Sequence, residues 1–430
     1  MPGPHDQLLH EGRDPIAWCA VITAAFMALC WHHLGIPSKI YFDEVHYVHA
    51  ARELLQLHRA NPEHPILGKT LIAASIRLLG DYPLAWRLPS LLLGALGLFA
   101  FGRLVWWASL RRFAAIAAML LLATNFLWFI QSRIAMLDMA MASFGMIALW
   151  QFAAALRMSG NAARTRLASC GLFLGLALGC KWSIAPAAML PGLTVLVLRL
   201  RDHGRRFMRG SEGPAGGITL IEAALWLGAV PLAVYWMTFA PTFFLSDHPV
   251  PPWDIIGHHQ YMFELQDSVR KPHPYRSVWY QWIINWRAIW YLYEHVDGVQ
   301  RGIVLIGNPF TMLAGLAGLG WCLWAAIRRR RSDALAFALL YLASIGLWIV
   351  TQKPVQFYYH YILPGAFLMA CLALALDALW QRRDRWRWGA PCAIALSFGM
   401  FAWFYPIISA APLHHGKKSY AEWMWLASWR

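Results

Sequence analysis

Charge is what this sequence lacks most. Only 14% of its 430 residues are Asp, Glu, Lys or Arg, whereas 59% are hydrophobic, and the mean hydropathy is +0.43. A soluble domain of this length has too little interior to hide so much apolar side chain, so composition excludes one and makes lipid the solvent. The apolar runs do not alternate in polarity, which excludes an outer-membrane barrel of strands roughly ten residues long. No cysteine is placed to staple an extramembrane loop. Cys19, Cys30, Cys170, Cys180, Cys322, Cys371 and Cys392 lie in or at the ends of apolar runs, so no disulfide framework is implied. A Gly-rich phosphate loop, internal repeats and low-complexity tracts are also missing. The N-terminus lacks the basic flank and cleavage site of a signal peptide, and its first apolar run is expected to be retained.

What is present is a series of long apolar runs. Helices alone satisfy their backbone polar groups within a bilayer, so the runs predict an all-α polytopic membrane protein forming a single transmembrane domain. Segments of roughly 17–25 residues give eleven expected spans, at 16–33, 83–107, 113–130, 134–157, 167–182, 183–200, 217–240, 302–327, 333–351, 359–380 and 388–408. The amphipathic stretch 66–80 reads as a helix lying on the membrane surface. Arginine clusters at 103–112, 157–166, 199–209, 328–331 and 382–387 all fall on one side of this arrangement, which makes that side cytoplasmic, together with the N-terminus. The formal net charge of +15 is therefore a topology signal. A nucleic-acid footprint would instead gather the charge on one soluble face. Two outer loops are long, 38–82 and 241–301.

The first outer loop opens on Tyr41-Phe42-Asp43-Glu44-Val45-His46, a carboxylate pair just past the first span. Such a pair suits removal of a proton from a hydroxyl at a membrane surface; the plainer alternative is that it caps the following helix. Outer span ends should be poor in bases, yet Arg87, Arg133, Lys181 and Lys353 stand there. A charge at that depth needs a partner or a solvated cavity. Asp138, one turn beyond Arg133, is the expected partner of that arginine.

Ordered motifs then identify a family. They are Phe42-Asp43-Glu44-Val45-His46, His64-Pro65-Ile66-Leu67-Gly68-Lys69, Arg133-Ile134-Ala135-Met136-Leu137-Asp138, Gly179-Cys180-Lys181-Trp182, His273-Pro274-Tyr275, Leu305-Ile306-Gly307-Asn308-Pro309 and Tyr358-Tyr359-His360-Tyr361. Between about residues 40 and 370 the chain resembles the protein O-mannosyltransferases, glycosyltransferase family 39. These are membrane enzymes of the GT-C fold that take sugar from a polyprenyl phosphate. Two departures stand out. Ile66 replaces the second proline of the usual His-Pro-Pro, and the soluble insert of eukaryotic members is missing, as in short bacterial members.

The resemblance implies an inverting transfer of a sugar, mannose first, to a Ser/Thr hydroxyl of an exported protein. The site would lie on the outer face of the inner membrane. An envelope lipid such as lipid A is the alternative acceptor. The resemblance makes Asp43 the general base, with Glu44 orienting the acceptor or holding a neighbouring cation. Arg87 is the expected ligand of the donor phosphate, with Lys353 and Gln352 as a second phosphate site. His64 and Lys69 shape the donor or acceptor site, or anchor the surface. Arg133 with Asp138, and Lys181, are structural or substrate-binding. His273, Tyr275, Asn308, Tyr359 and His360 serve the substrate or the architecture. No metal or other cofactor is expected, and no nucleic acid. Two other readings are a flippase for a lipid-linked sugar, which would call for repeats and broken mid-span helices, and an inactive partner subunit, which the intact Asp43-Glu44 opposes.

Overall fold

A computed structural model describes residues 14–268, 273–351, 355–414 and 418–430. Gln352 and Lys353, the expected second phosphate site, lie outside these residues. The chain begins with α1 (Ile16–Trp31), α2 (Glu44–Leu55), α3 (Leu67–Leu79), α4 (Pro83–Ser109), α5 (Arg112–Ala123), α6 (Phe126–Gln131), α7 (Leu137–Ala155), α8 (Gly160–Cys180) and α9 (Ala185–His203). Then come α10 (Leu220–Ala224) and α11 (Val230–Met237), joined by a π-helical turn, followed by α12 (Ile255–Ser268) and α13 (Trp279–Ile283). After a hairpin of β1 (Ile289–Val296) and β2 (Val299–Leu305), α14 (Pro309–Arg329), α15 (Ser332–Val350), α16 (Ile362–Trp380) and α17 (Gly389–Ile408) complete the bundle.

Among the described residues eight helices are long and apolar enough to cross a membrane. The protein is a multi-pass membrane protein, but the expected count of eleven spans is not reached. Helix α1 has 16 residues. The expected span 113–130 is broken at Thr124-Asn125, where the Asn125 side chain accepts from Trp128 N and starts a new helix. Helix α8 opens with Arg164 and Arg166 in its first two turns. The span expected at 302–327 is also corrected, because β2 runs to Leu305 and the helix starts at Pro309. The expected amphipathic segment is helix α3, of 13 residues.

The bundle is not purely helical because residues 289–305 pair antiparallel around an Asp297-Gly298 turn. Both turn residues have positive φ (52° and 78°), the geometry that a two-residue hairpin demands and Asp-Gly supplies. Ser38 N donates to Asp297 (3.0 Å) and Lys39 pairs with Glu294 (2.5 Å), so the hairpin braces the loop before Asp43. The C-terminal segment braces the hairpin in turn. Leu413 N donates to Gln300 O (2.9 Å), Trp290 Nε1 to Trp429 O (3.0 Å) and Trp429 Nε1 to Asn285 O (2.9 Å).

Helices α4, α7 and α16 are the most enclosed, and α9 to α11, α14 and α17 present apolar side chains outward. The arginines expected to face the cytoplasm gather at one end of the bundle. There Arg111 pairs with Asp377 (2.8 Å), Arg157 holds the carbonyls that end α4, and Arg331 pairs with Asp333 (2.5 Å). The opposite end carries the C-terminus of α1 and the N-termini of α2, α4 and α7, and with them the motifs.

Candidate active site

Asp43 is the residue before the first turn of α2, but its side chain makes no capping hydrogen bond. The capping explanation of the acidic pair therefore does not hold for it. Asp43 as a residue is half-buried. Burial pushes it up to about 6; the charges of Lys181 and His46 and a hydrogen bond donated by Tyr359 pull the other way, and the charge of Asp138 adds to the rise. A carboxylate of raised basicity has the protonation range that a general base needs.

Glu44 behaves differently. It is fully buried, and its four accepted hydrogen bonds join three parts of the chain. Oε1 accepts from Arg87 Nε (2.8 Å) and Ala135 N (3.1 Å), and Oε2 from Arg87 Nη2 (3.0 Å) and Tyr41 N (3.3 Å). Arg87 is also fully buried and donates its remaining N–H groups to the carbonyls of Leu34 (3.1 Å), Pro37 (2.8 Å) and Lys39 (2.9 Å). A guanidinium has five N–H donors. All five are used, so the expectation that Arg87 meets the donor phosphate is corrected: it moulds the loop that precedes Asp43.

The expected Arg133–Asp138 pair is corrected too. Arg133 lies between α6 and α7, outside any helix, so a spacing of five places the two side chains on no common face. Its guanidinium donates to the carbonyls of Cys30 (3.2 Å), His32 (2.8 Å), His33 (3.3 Å) and Ser409 (3.3 Å), holding the C-terminal end of α1 against the end of α17. A cation suits a helix C-terminus. Asp138, in the first turn of α7, instead takes Lys181 from the end of α8, both oxygens at 2.8 Å from Nζ. Lys181 Nζ also lies 5.0 Å from the centre of the Tyr359 ring. Asp43, Asp138, Lys181 and Tyr359 thus converge, drawn from four separate motifs.

His46, Phe42 and Tyr41 of the first motif lie in this cluster, and Tyr47, Tyr291 and Gln131 join it without having been singled out from the sequence. His46 follows Asp43 by less than one turn, and Tyr47 and Tyr291 are buried close enough to feel the charges of Asp43 and Asp138. Phe42, at a left-handed φ of 50°, stacks on Tyr291 with ring centres 3.9 Å apart, and Gln131 Nε2 donates to the Tyr291 hydroxyl (3.0 Å). Tyr41 lies under the Arg87 guanidinium at 4.9 Å. The Asp-Gly turn and the alternating β1 sequence were the available signal for Tyr291.

The other expected residues take supporting places. Lys69 is buried and donates to the carbonyls of Asn61 (2.5 Å) and His64 (2.8 Å), closing the turn that starts α3; burial pushes its amine down to about 7 against the pull of Glu63. His64 and Lys69 border a small cavity with Arg59 and His258, apart from Asp43. Gly68 earns its place in the motif by contact, since a Cβ there would meet Leu137 Cδ2 at 2.6 Å, at the start of the helix that carries Asp138. His273 is exposed, packs edge-on against Phe357 (5.0 Å) and accepts from Tyr275 N through Nδ1 (3.2 Å). Asn308 is buried and starts α14, accepting from Thr311 N (3.3 Å) and donating to Thr124 O (3.2 Å) and Ser397 O (3.1 Å). His360 stacks on Trp348 at 4.0 Å. Among the described residues no group of three or more His, Cys, Asp or Glu side chains comes together to hold a metal ion.

This fold and these motifs have counterparts. A polyprenol-phosphate-mannose–protein mannosyltransferase of Mycolicibacterium smegmatis is 27% identical, with 96% of this chain and 93% of that protein covered. The S. cerevisiae protein O-mannosyltransferase Pmt1–Pmt2 complex bound to the sugar donor matches with a TM-score of 0.80 at 14% identity, covering 96% of this chain and 92% of that one. ArnT from Cupriavidus metallidurans bound to undecaprenyl phosphate shares the fold more distantly, with a TM-score of 0.58 at 16% identity over 90% and 76% of the two chains. The model of the C-terminal four-transmembrane region of protein O-mannosyltransferase matches residues 253–429, and that of dolichyl-phosphate-mannose-protein mannosyltransferase matches 20–88 and 83–245. The chain belongs to the dolichyl-phosphate-mannose-protein mannosyltransferase family.

Proposed function

We propose that this protein is an inverting glycosyltransferase that moves mannose from a polyprenyl phosphate to a Ser or Thr hydroxyl of an exported protein. The observation that carries the reading is Asp43, raised in basicity by burial, beside the Lys181–Asp138 pair. Asp43 takes the proton of the acceptor hydroxyl as its oxygen attacks the anomeric carbon from the face opposite the phosphate. The bond from that carbon to the phosphate oxygen breaks, and its electron pair leaves with the polyprenyl phosphate. Charge growing on the leaving group needs a nearby cation. Lys181 is the cation assigned to it, fixed beside Asp43 by both oxygens of Asp138. The reading assigns no metal. Glu44 and Arg87 hold the catalytic loop rather than the substrate. The Arg-rich end of the bundle faces the cytoplasm, so transfer takes place on the outer face of the inner membrane.

The test is transfer by purified protein in lipid, supplied with polyprenyl-phosphate mannose and either a Ser/Thr peptide or an envelope lipid. Mannosylated peptide is the expected product. The base must be ionised, so kcat/KM is expected to rise with pH through about 6 and to fall roughly tenfold per unit below it. Transfer to lipid alone would replace the acceptor, and a flat profile from pH 5 to 8 would remove Asp43 as base.

A second variant pair separates the cation's chemistry from its packing. Lys181→Met strands a buried carboxylate beside Asp43, and is expected to move the pH midpoint upward and to lower kcat/KM by about 10²-fold, the scale of one lost electrostatic donor. Adding Asp138→Asn removes the stranded charge and should restore the unfolding temperature. Transfer should stay low; its return would reduce Lys181 to a structural partner.

A further inference from the structure

The Arg-rich end of the bundle holds a groove of about 400 Å³ between α4, α7, α9 and α15. Its walls include Leu104, Trp107, Phe152, Leu190, Leu198 and Phe337, and Arg157 and Arg201 also border it. Arg157 donates Nε to Trp107 O and Nη2 to Ala108 O (2.7 Å), so the two N–H groups of Nη1 go to neither carbonyl. Arg201 uses Nε (2.6 Å) and Nη2 (3.1 Å) on Asp202, and its Nη1 is likewise left over by that pair. Asp333, also on the border, is matched by Arg331 at 2.5 Å. Three arginines against two aspartates leave the border positive above an apolar slot.

That combination selects its occupant. An apolar slot takes an acyl chain, and a positive border between membrane helices takes an anionic headgroup. The donor lipid of the transfer reaction is a poor fit for this place. Helix α7 carries Asp138 in its first turn and Phe152 in the groove wall, so at 1.5 Å per residue the two are separated by about 21 Å along the axis. A phosphate beside Lys181 is therefore far from Arg157. We propose that the groove binds an acyl chain of an anionic phospholipid from the leaflet on the Arg-rich side, with its phosphate on Arg157 and Arg201. The proposal does not depend on the transferase reading.

Full-length protein reconstituted with phosphatidylglycerol carrying a photoactivatable acyl chain tests this directly. Labelling is expected on peptides of α9 and α15. Unlabelled phosphatidylglycerol should suppress it, and phosphatidylcholine or polyprenyl phosphate at equal concentration should not. R157Q/R201Q is expected to reduce labelling roughly tenfold or more, from the loss of two headgroup charges, while sugar transfer persists. A336W, which fills the slot, should abolish labelling; should that variant fail to fold, the wild-type competition decides alone. Equal suppression by phosphatidylcholine would overturn the headgroup assignment, and suppression by polyprenyl phosphate would turn the groove into a donor-tail site. Absence of label from α9 and α15 would remove the site altogether.

Discussion

Asp43→Asn is expected to lower kcat by about 10²–10⁴-fold, the usual worth of a positioned general base, with little change in thermal stability. The two effects part because of what the carboxyl does in the folded protein. Asp43 caps no backbone N–H, and the charges acting on it are those of Lys181, His46 and Asp138. Burial already penalises its ionised form, so an amide of the same size removes a strained charge and keeps the shape. Tyr359 can still donate to the amide oxygen. Donor binding should persist, since the proposed partner of the sugar phosphate is Lys181 and not Asp43. Single-turnover transfer and donor binding, measured on the same preparation, check the claim. Loss of donor binding in Asp43→Asn would mean that the residue holds substrate and is not the base.

Glu44→Gln, one residue along, should fail in the opposite way. Its first effect is on the fold, with a loss of about 3–5 kcal/mol, as when one member of a buried ion pair is removed. The Arg87 guanidinium stays buried with no counter-charge, and one amide oxygen cannot replace two carboxylate oxygens that accept four hydrogen bonds. Thermal unfolding in lipid should show a markedly lower midpoint, and activity should fall because Tyr41 and Ala135 are released on either side of Asp43. The double change Glu44→Leu with Arg87→Met removes both charges, yet recovery should be incomplete. Arg87 also satisfies the carbonyls of Leu34, Pro37 and Lys39, which the double variant leaves unpaired. Full recovery of stability would show that those carbonyls find other partners, and that the moulding role of Arg87 is dispensable.

Adjacent acids with such different duties mark the limit of what the chain discloses one residue at a time. The apolar runs announced a helical membrane bundle, and several motifs do stand at helix ends, because hydropathy and Arg clustering act locally. Pairings were not legible. Arg133 and Asp138 are close in sequence, but the break between α6 and α7 turns them apart, and Asp138 finds Lys181 from a different helix. Arg87 was read as a free cation for the same reason: its acceptors come from a loop folded over it and from Glu44. Sequence reports that a buried charge needs a partner, whereas only tertiary structure says which. The hairpin is another matter. Asp297-Gly298 between alternating residues is a readable turn, but its second strand runs into the window 302–327, whose hydropathy reads as a span.

The order in which these parts leave the ribosome has a consequence of its own. Asp43, the proposed base, is made early, on the loop before α2, while the hairpin that braces this loop comes much later and the segment around Leu413 and Trp429 that braces the hairpin later still. A chain still being inserted into the membrane therefore carries its chemistry without the means to aim it. A transferase that shares a membrane with unfinished, hydroxyl-rich chains, its own included, gains from becoming competent only once its far end has docked. The same dependence makes the segments around Leu413 and Trp429 part of what holds Asp43 in place, though neither touches it.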